Sequence, residues 1–210
     1  MTIQIKICGL TTPETVDAAV DAGATHIGLV HFPPSPRHLE AEAAARLRAR
    51  VPASVNVVLL TANADPLTLA KAAEAVKPDI LQFHGREMPE WVAAVREQTG
   101  LEVWKGIGLR DAGTLERSVK WVGKADRLLW DAPAKALPGG NGEAFDWALL
   151  AGHEHAVPWA LAGGLTPTNV AEAIRITGAT LVDTSSGVER EKGIKDVDLI
   201  TAFCEAARTA

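Results

Sequence analysis

The sequence predicts an α/β protein, a single closed (β/α)8 TIM barrel over residues 1–210. Three observations predict it. Short β-branched strand patterns alternate with helical patterns along the whole chain. Eight such pairs follow one another at a steady spacing, and eight parallel units close a sheet on itself. No linker or break in composition divides the chain, whose 210 residues sit near the compact limit of about 200 for this architecture. A doubly wound open sheet is the alternative, and it requires fewer units.

The first strand pattern is Ile3-Gln-Ile-Lys-Ile-Cys8. Ile3, Ile5 and Ile7 share one face; Gln4, Lys6 and Cys8 share the other. The second face suits either solvent or a barrel interior beneath an active site. Gly9 ends the strand, and Thr12 caps a helix opened by Pro13 and stopped by Gly23. The second strand is 26–31, followed by a proline-stiffened loop to His38 and a helix over 40–50. The third pair is 54–60 and 66–76. The fourth is 80–84 and 89–99, closed by Gly100. The fifth is 102–106 and 114–122. The sixth strand, 127–130, ends at Asp131, followed by a Gly/Pro loop over 132–143 and a short helix over 146–150. The seventh pair is 158–162 and 167–177. The eighth strand is 180–183, and a Ser/Gly loop leads to the last helix over 197–208.

Composition narrows the partners. An apolar share of 47% is ample for a full core, and a net charge of -5 without a basic cluster argues against nucleic acid. The apolar runs are too short to span a bilayer, and the N-terminus lacks a signal-peptide pattern. The two cysteines, Cys8 and Cys204, show no metal-type spacing, so a reduced, cytoplasmic setting is expected. Cys204 reads as helix packing, and His153-Glu-His155 as a solvated turn at the far rim. Nothing in the sequence accounts for six tryptophans.

In a barrel the strand ends meet on one rim, where the chemistry is kept. That rim offers Cys8, His31, Thr61, His84, Gly106, Asp131, Gly163-Gly164 and Asp183. Cys8 reads either as a reactive group or as a small buried hydrophobe. The loop with Gly163 and Gly164 follows strand seven. The loop with Asp183, Ser185, Ser186 and Gly187 follows strand eight. Adjacent glycines open backbone N–H groups to a ligand, serines add donors, and barrels commonly bind phosphate there. Ordinary turns are the alternative. His31 with His84 lacks a third metal ligand.

Several motifs occur in order: Lys6-Ile-Cys-Gly-Leu-Thr11, Ser35-Pro-Arg37, Gln82-Phe-His-Gly85, Gly139-Gly-Asn-Gly142 with Phe145-Asp-Trp147, Gly163-Gly-Leu165 with Asn169-Val170, and Ser185-Ser-Gly-Val-Glu189 with Gly193-Ile-Lys-Asp196. Together they resemble the phosphoribosylanthranilate isomerases of tryptophan biosynthesis, from Lys6 to Asp196. The combination of the first and last motifs is specific; no single piece is.

The resemblance implies a cofactor-free, metal-free Amadori rearrangement of a small phosphosugar by a monomer or homodimer. It makes Asp131 the general acid and Cys8 the general base. It gives Arg37 the anthranilate carboxylate, for which a guanidinium fork is suited. It makes the loop of Gly139–Gly142 a flexible cover, anchored by Phe145 and Trp147. Asp131 must then hold a proton near pH 7, far above the usual value of about 3.9. Cys8 must be a thiolate although a free thiol titrates near about 8.5. Lys6 either lowers that value or pairs with Asp183 on the adjoining strand. His31, Thr61 and Asn141 depart from the family pattern and bear on the wall against the aromatic ring. The resembling histidine-pathway isomerase ends its first strand with Asp, where Cys8 stands here. A non-catalytic phosphate binder is the other alternative, and Cys8, Arg37 and Asp131 together argue against it.

Overall fold

The computed structural model describes residues 2–133 and 146–210. Eight parallel strands close a barrel in chain order: β1 (Gln4–Cys8), β2 (His26–Val30), β3 (Asn56–Thr61), β4 (Ile80–Phe83), β5 (Glu102–Gly108), β6 (Arg127–Asp131), β7 (Trp159–Leu161) and β8 (Leu181–Thr184). The seam is β1 on β8, with Lys6 opposite Asp183. The closed order rules out the open sheet.

Period-two alternation sorts the side chains. One set, including Ile5, Ile7, Leu29, Leu59 and Val182, joins the large core between strands and helices. The alternate set includes Val58, Ile80, Trp104, Leu129, Ala160 and Leu181, a separate cluster that fills the barrel. Each fully buried Ile or Leu contributes about 1.5–3 kcal/mol. The polar face of β1 turns inward, so Lys6 and Cys8 are buried. Trp104 plugs the interior, its Nε1 donating to Glu102 at 2.5 Å with the Arg127 guanidinium 5.3 Å from its ring. One of the six tryptophans is thus interior filler.

The outer helices are α1 (Pro13–Asp21), α2 (Ala41–Arg48), α3 (Pro66–Val76), α4 (Pro89–Thr99), α5 (Ala112–Glu116), α6 (Val170–Thr177) and α7 (Val197–Arg208). Their starts are chemically marked. Thr12 and Thr15 form a capping box on α1, and Asp65 accepts the N–H groups of Leu67 and Thr68. Among the described residues, no helix is long and apolar enough to cross a membrane.

Several expectations are corrected. Asp111 accepts the Thr114 N–H at 2.7 Å, so α5 starts early, and a 3-10 turn over Arg117–Trp121 replaces its second half. α6 starts late because the Asn169 side chain is spent on the preceding loop. It accepts from Thr166 N at 2.8 Å and donates to Gly164 O at 2.9 Å. The helix expected over 146–150 is a 3-10 turn, Trp147–Leu149. A hairpin, β9 (Glu189–Glu191) with β10 (Ile194–Lys195), follows β8 and was not expected. His155 is half-buried rather than freely solvated: it stacks on Trp159 at 4.5 Å and accepts from Trp130 Nε1 at 3.3 Å. Burial first, then His153, hold that imidazole to a pKa of about 4. Trp147 packs against the outer core. The loop of Gly139–Gly142, with Asn141, and Phe145 lie outside the described residues.

Candidate active site

All nine residues singled out by sequence meet at the C-terminal rim. Cys8, Arg37, Asp131, Gly163, Gly164, Asp183, Ser185, Ser186 and Gly187 line one open cavity with about 650 Å³ of empty space. Phe32, Val30 and Leu60 supply its apolar wall, whereas His31 and Thr61 are not part of the lining. His31 is instead held by a contact of its Nδ1 with Leu39 O at 2.9 Å. The two departures from the family pattern therefore leave that wall alone.

Cys8 is the last residue of β1, opposite Gly28 on β2. Gly28 leaves the thiol its space: a Cβ there would come 2.8 Å from Cys8 Sγ. Burial pushes the thiol above its ordinary value; Lys6 and, more weakly, Lys195 pull it back, and burial wins. Lys6 Nζ lies 2.9 Å from Asp183 Oδ1, and both are buried. Burial disfavours the ammonium, yet Asp183 and Cys8 hold it above its ordinary value. Lys6 thus pairs with Asp183, and its pull on Cys8 does not outweigh burial.

Asp131 ends β6 on another side of the cavity. Its Oδ1 accepts the Ala132 N–H at 2.7 Å, and its Oδ2 accepts from His84 Nε2 at 3.1 Å. Gln82 Nε2 donates to His84 Nδ1 at 3.1 Å, which fixes that tautomer, and Gln82 Oε1 is buried without a partner. Gly163 sits against this carboxylate with φ +78, and a Cβ there would come 3.1 Å from Asp131 Oδ1. That left-handed backbone favours glycine, and a Cβ would also run into Ala132 N, so a side chain does not fit the gap.

The two glycine loops are bound to each other. Thr184 Oγ1 donates to Leu165 O at 2.7 Å, and a Cβ on Gly187 would run into the same carbonyl. Among the described residues, the N–H groups of Gly163 and Gly164 donate to no protein acceptor, as an anion-binding loop requires.

Arg37 is buried, and its fork is already occupied. Nε and Nη2 donate to the two oxygens of Glu189 at 2.6 and 2.8 Å. Glu189 and Lys195, both in the quoted motifs, carry no role in the sequence reading, and neither do Gln82 and His84. Glu189 reaches Arg37 and His84 reaches Asp131 across 152 and 47 residues of sequence. His31 and His84 are each held by protein partners. Among the described residues, no group of three or more metal-type side chains forms.

Comparison with known proteins bears on this cavity. Residues 5–206 match the family model described as N-(5'phosphoribosyl)anthranilate (PRA) isomerase. The N-(5'-phosphoribosyl)anthranilate isomerase of Erythrobacter litoralis is 63% identical over 206 residues, covering 98% of this chain and 99% of its own. The crystal structure of the phosphoribosyl anthranilate isomerase of Thermotoga maritima superposes with a TM-score of 0.90 at 31% identity, covering 99% of this chain and 100% of that one. A phosphoribosyl anthranilate isomerase crystallised with reduced 1-(o-carboxyphenylamino)-1-deoxyribulose 5-phosphate superposes with a TM-score of 0.87 at 31% identity, with the same coverage.

Proposed function

The chain belongs to the N-(5'-phosphoribosyl)anthranilate isomerase family, isomerases of tryptophan biosynthesis, and on that premise we propose the chemistry of its site. The substrate is N-(5-phosphoribosyl)anthranilate, and the product is 1-(2-carboxyphenylamino)-1-deoxyribulose 5-phosphate. Asp131 gives a proton to the furanose ring oxygen; the ring bond breaks and the anilino nitrogen becomes an iminium. Cys8, as thiolate, removes the proton from C2′ and leaves an enolamine. Tautomerisation of the enolamine gives the ketone, with no net change in redox state.

The observation that carries this reading is the placement of Cys8 and Asp131 on the same cavity, from strands β1 and β6. A donor and an acceptor can then flank one sugar. The phosphate is assigned to the Gly163–Gly164 and Ser185–Gly187 backbones, whose donors suit an anion. Asp183, a carboxylate paired with Lys6, suits a sugar hydroxyl on the same cavity better than a phosphate. The carboxylate of the aryl group is assigned to the remaining edge of Arg37. Phe32, Val30 and Leu60 supply apolar contact for the ring.

The test is conversion of the aminoaldose by the purified protein, with Cys8→Ser beside it. Turnover in the wild type with a loss of about 10²–10⁴-fold in Cys8→Ser supports the assignment. Near-normal turnover in Cys8→Ser removes Cys8 from the mechanism.

A further inference from the structure

Arg37 is not presented to the cavity by its own loop alone. Glu189 takes the Nε–Nη2 edge of the guanidinium through both carboxylate oxygens. Glu189 in turn accepts from Lys195 Nζ at 2.6 Å and from the Gly193 N–H at 3.0 Å. All three residues belong to the β9–β10 hairpin. Its turn leans on the loop that carries Arg37: a Cβ on Gly193, whose φ is +85, would come 2.8 Å from Pro36 O. From the other side, a Cβ on Gly9 would come 2.5 Å from Arg37 Cδ. Lys195 also donates to Ser185 O at 3.0 Å, and Ser185 Oγ donates to Cys8 O at 3.0 Å.

We propose that Glu189 is a positioning residue that, with Lys195, fixes Arg37 so that only its outer Nη edge meets the carboxylate of the aryl group. Selection for a carboxylate-bearing amine then depends on the hairpin. This rests on the role given to Arg37 above. Two physical effects compete here. A carboxylate on Arg37 partly neutralises it, which weakens its pull on substrate. Ordering a long, rotamer-rich side chain before substrate arrives strengthens binding, because that entropy is lost in folding instead. Lys195 tips the balance, since two cations share one anion and the cluster stays positive. Burial works against the Glu189 carboxylate, but Arg37 and Lys195 hold its pKa at about 2, so it is charged throughout the neutral range.

The experiment compares binding of two stable ligands. One is the reduced product analogue bearing the carboxylate, and the other is its phenyl counterpart without it. Arg37→Ala should lose about 30-fold or more of the preference for the carboxylate. Glu189→Gln should lose about tenfold of the same preference and leave the phenyl ligand within about threefold of wild type. The double variant should match Arg37→Ala alone, because both changes act on one contact. If Glu189→Gln weakens both ligands equally, or spares the preference, Glu189 is not positioning Arg37 and the proposal is overturned while the Arg37 assignment stands. A preference that survives Arg37→Ala overturns that assignment and the proposal with it. Should Glu189→Gln not fold, Glu189→Asp carries the same comparison with the charge kept and the reach shortened.

Discussion

Lys6 on β1 and Asp183 on β8 form a buried ion pair at 2.9 Å across the seam that closes the barrel. The pair joins stability to chemistry, because the same ammonium acts on Cys8. Removing one partner strands the other charge in a dry interior, at a cost of about 3–5 kcal/mol. Asp183→Asn is expected to lower the unfolding free energy by about that amount. Lys6→Met combined with Asp183→Asn should cost less than the sum of the two single losses. Urea unfolding of the singles and the double is the check; strict additivity would mean the two charges are not coupled.

The thiol makes a kinetic prediction. Burial holds Cys8 above its ordinary value, and Lys6 is the strongest group pulling it down. The thiolate fraction therefore grows with pH through the neutral range, so alkylation of Cys8 by iodoacetamide should speed up between about pH 7 and 9. Lys195→Met, which removes a weaker pull, should move that limb to higher pH. A flat alkylation profile in the wild type, or a limb that moves down in the variant, would contradict this account of the thiol.

Gly28 offers a way to disturb Cys8 without replacing it. A methyl group at residue 28 would press on the sulfur from 2.8 Å. The same methyl would come 2.9 Å from Cys8 Cα, so Gly28→Ala should cost some stability and lower kcat by about tenfold or more, by displacing the base from its near-attack position. Retained activity alongside an undisturbed crystal structure of the variant would show that the sulfur has room to yield.

The barrel and its rim are legible in the sequence because both follow local rules. Alternation parts Ile5 and Ile7 from Lys6 and so separates the two faces of β1, though not which faces inward, and Cys8 and Asp131 stand where their strands stop. The Arg37–Glu189 contact is a different case, since its partners are 152 residues apart. No local pattern says that a hairpin will follow β8 and lean on the loop after β2. His84 illustrates a subtler limit. Its place at a strand end is visible, but its role depends on Gln82 behind it and Asp131 across β5. His155 fails for the same reason: a polar stretch before a strand reads as solvated until Trp159 and Trp130 are seen to enclose it.

His26 makes stability depend on pH. It is buried on β2, touching Thr25 Oγ1 through Nδ1 at 2.8 Å and the Asn56 amide through Nε2 at 3.3 Å. Thr25 Oγ1 donates its own proton to Ile5 O, so neutral His26 donates through Nδ1 and accepts the Asn56 N–H through Nε2. A second proton has no acceptor. Burial first, then the charges of Lys6 and Arg127, lower the pKa to about 4. The unfolded imidazole titrates near about 6.5 and so binds the proton first on acidification. The stabilising difference is therefore complete above about pH 6.5 and is lost as pH falls toward about 4, a total of about 3 kcal/mol. His26→Gln should flatten the decline between pH 6.5 and 4.5 in urea titrations; an unchanged slope would place the acid lability elsewhere.

The last prediction concerns the acid and what stands behind it. Asp131→Asn keeps the shape of the side chain, and its carbonyl oxygen can still accept the Ala132 N–H. Its amide nitrogen then faces His84 Nε2, which now donates, so two donors meet. The conflict is relieved if His84 moves its proton to Nδ1 and Gln82 turns its amide over. Gln82 Oε1, buried without a partner, then accepts from Nδ1. The swap costs no hydrogen bond at Gln82, so the variant should fold normally. It has no acidic proton to give, so kcat should fall by about 10²–10⁴-fold with KM little changed. Nitrogen NMR of the imidazole should report the Nε2-protonated tautomer of His84 in wild type and the Nδ1-protonated one in Asp131→Asn. A variant with near-normal kcat would remove Asp131 as the acid. A large loss of kcat with the His84 tautomer unchanged would leave the acid in place but show that Gln82 does not couple to it.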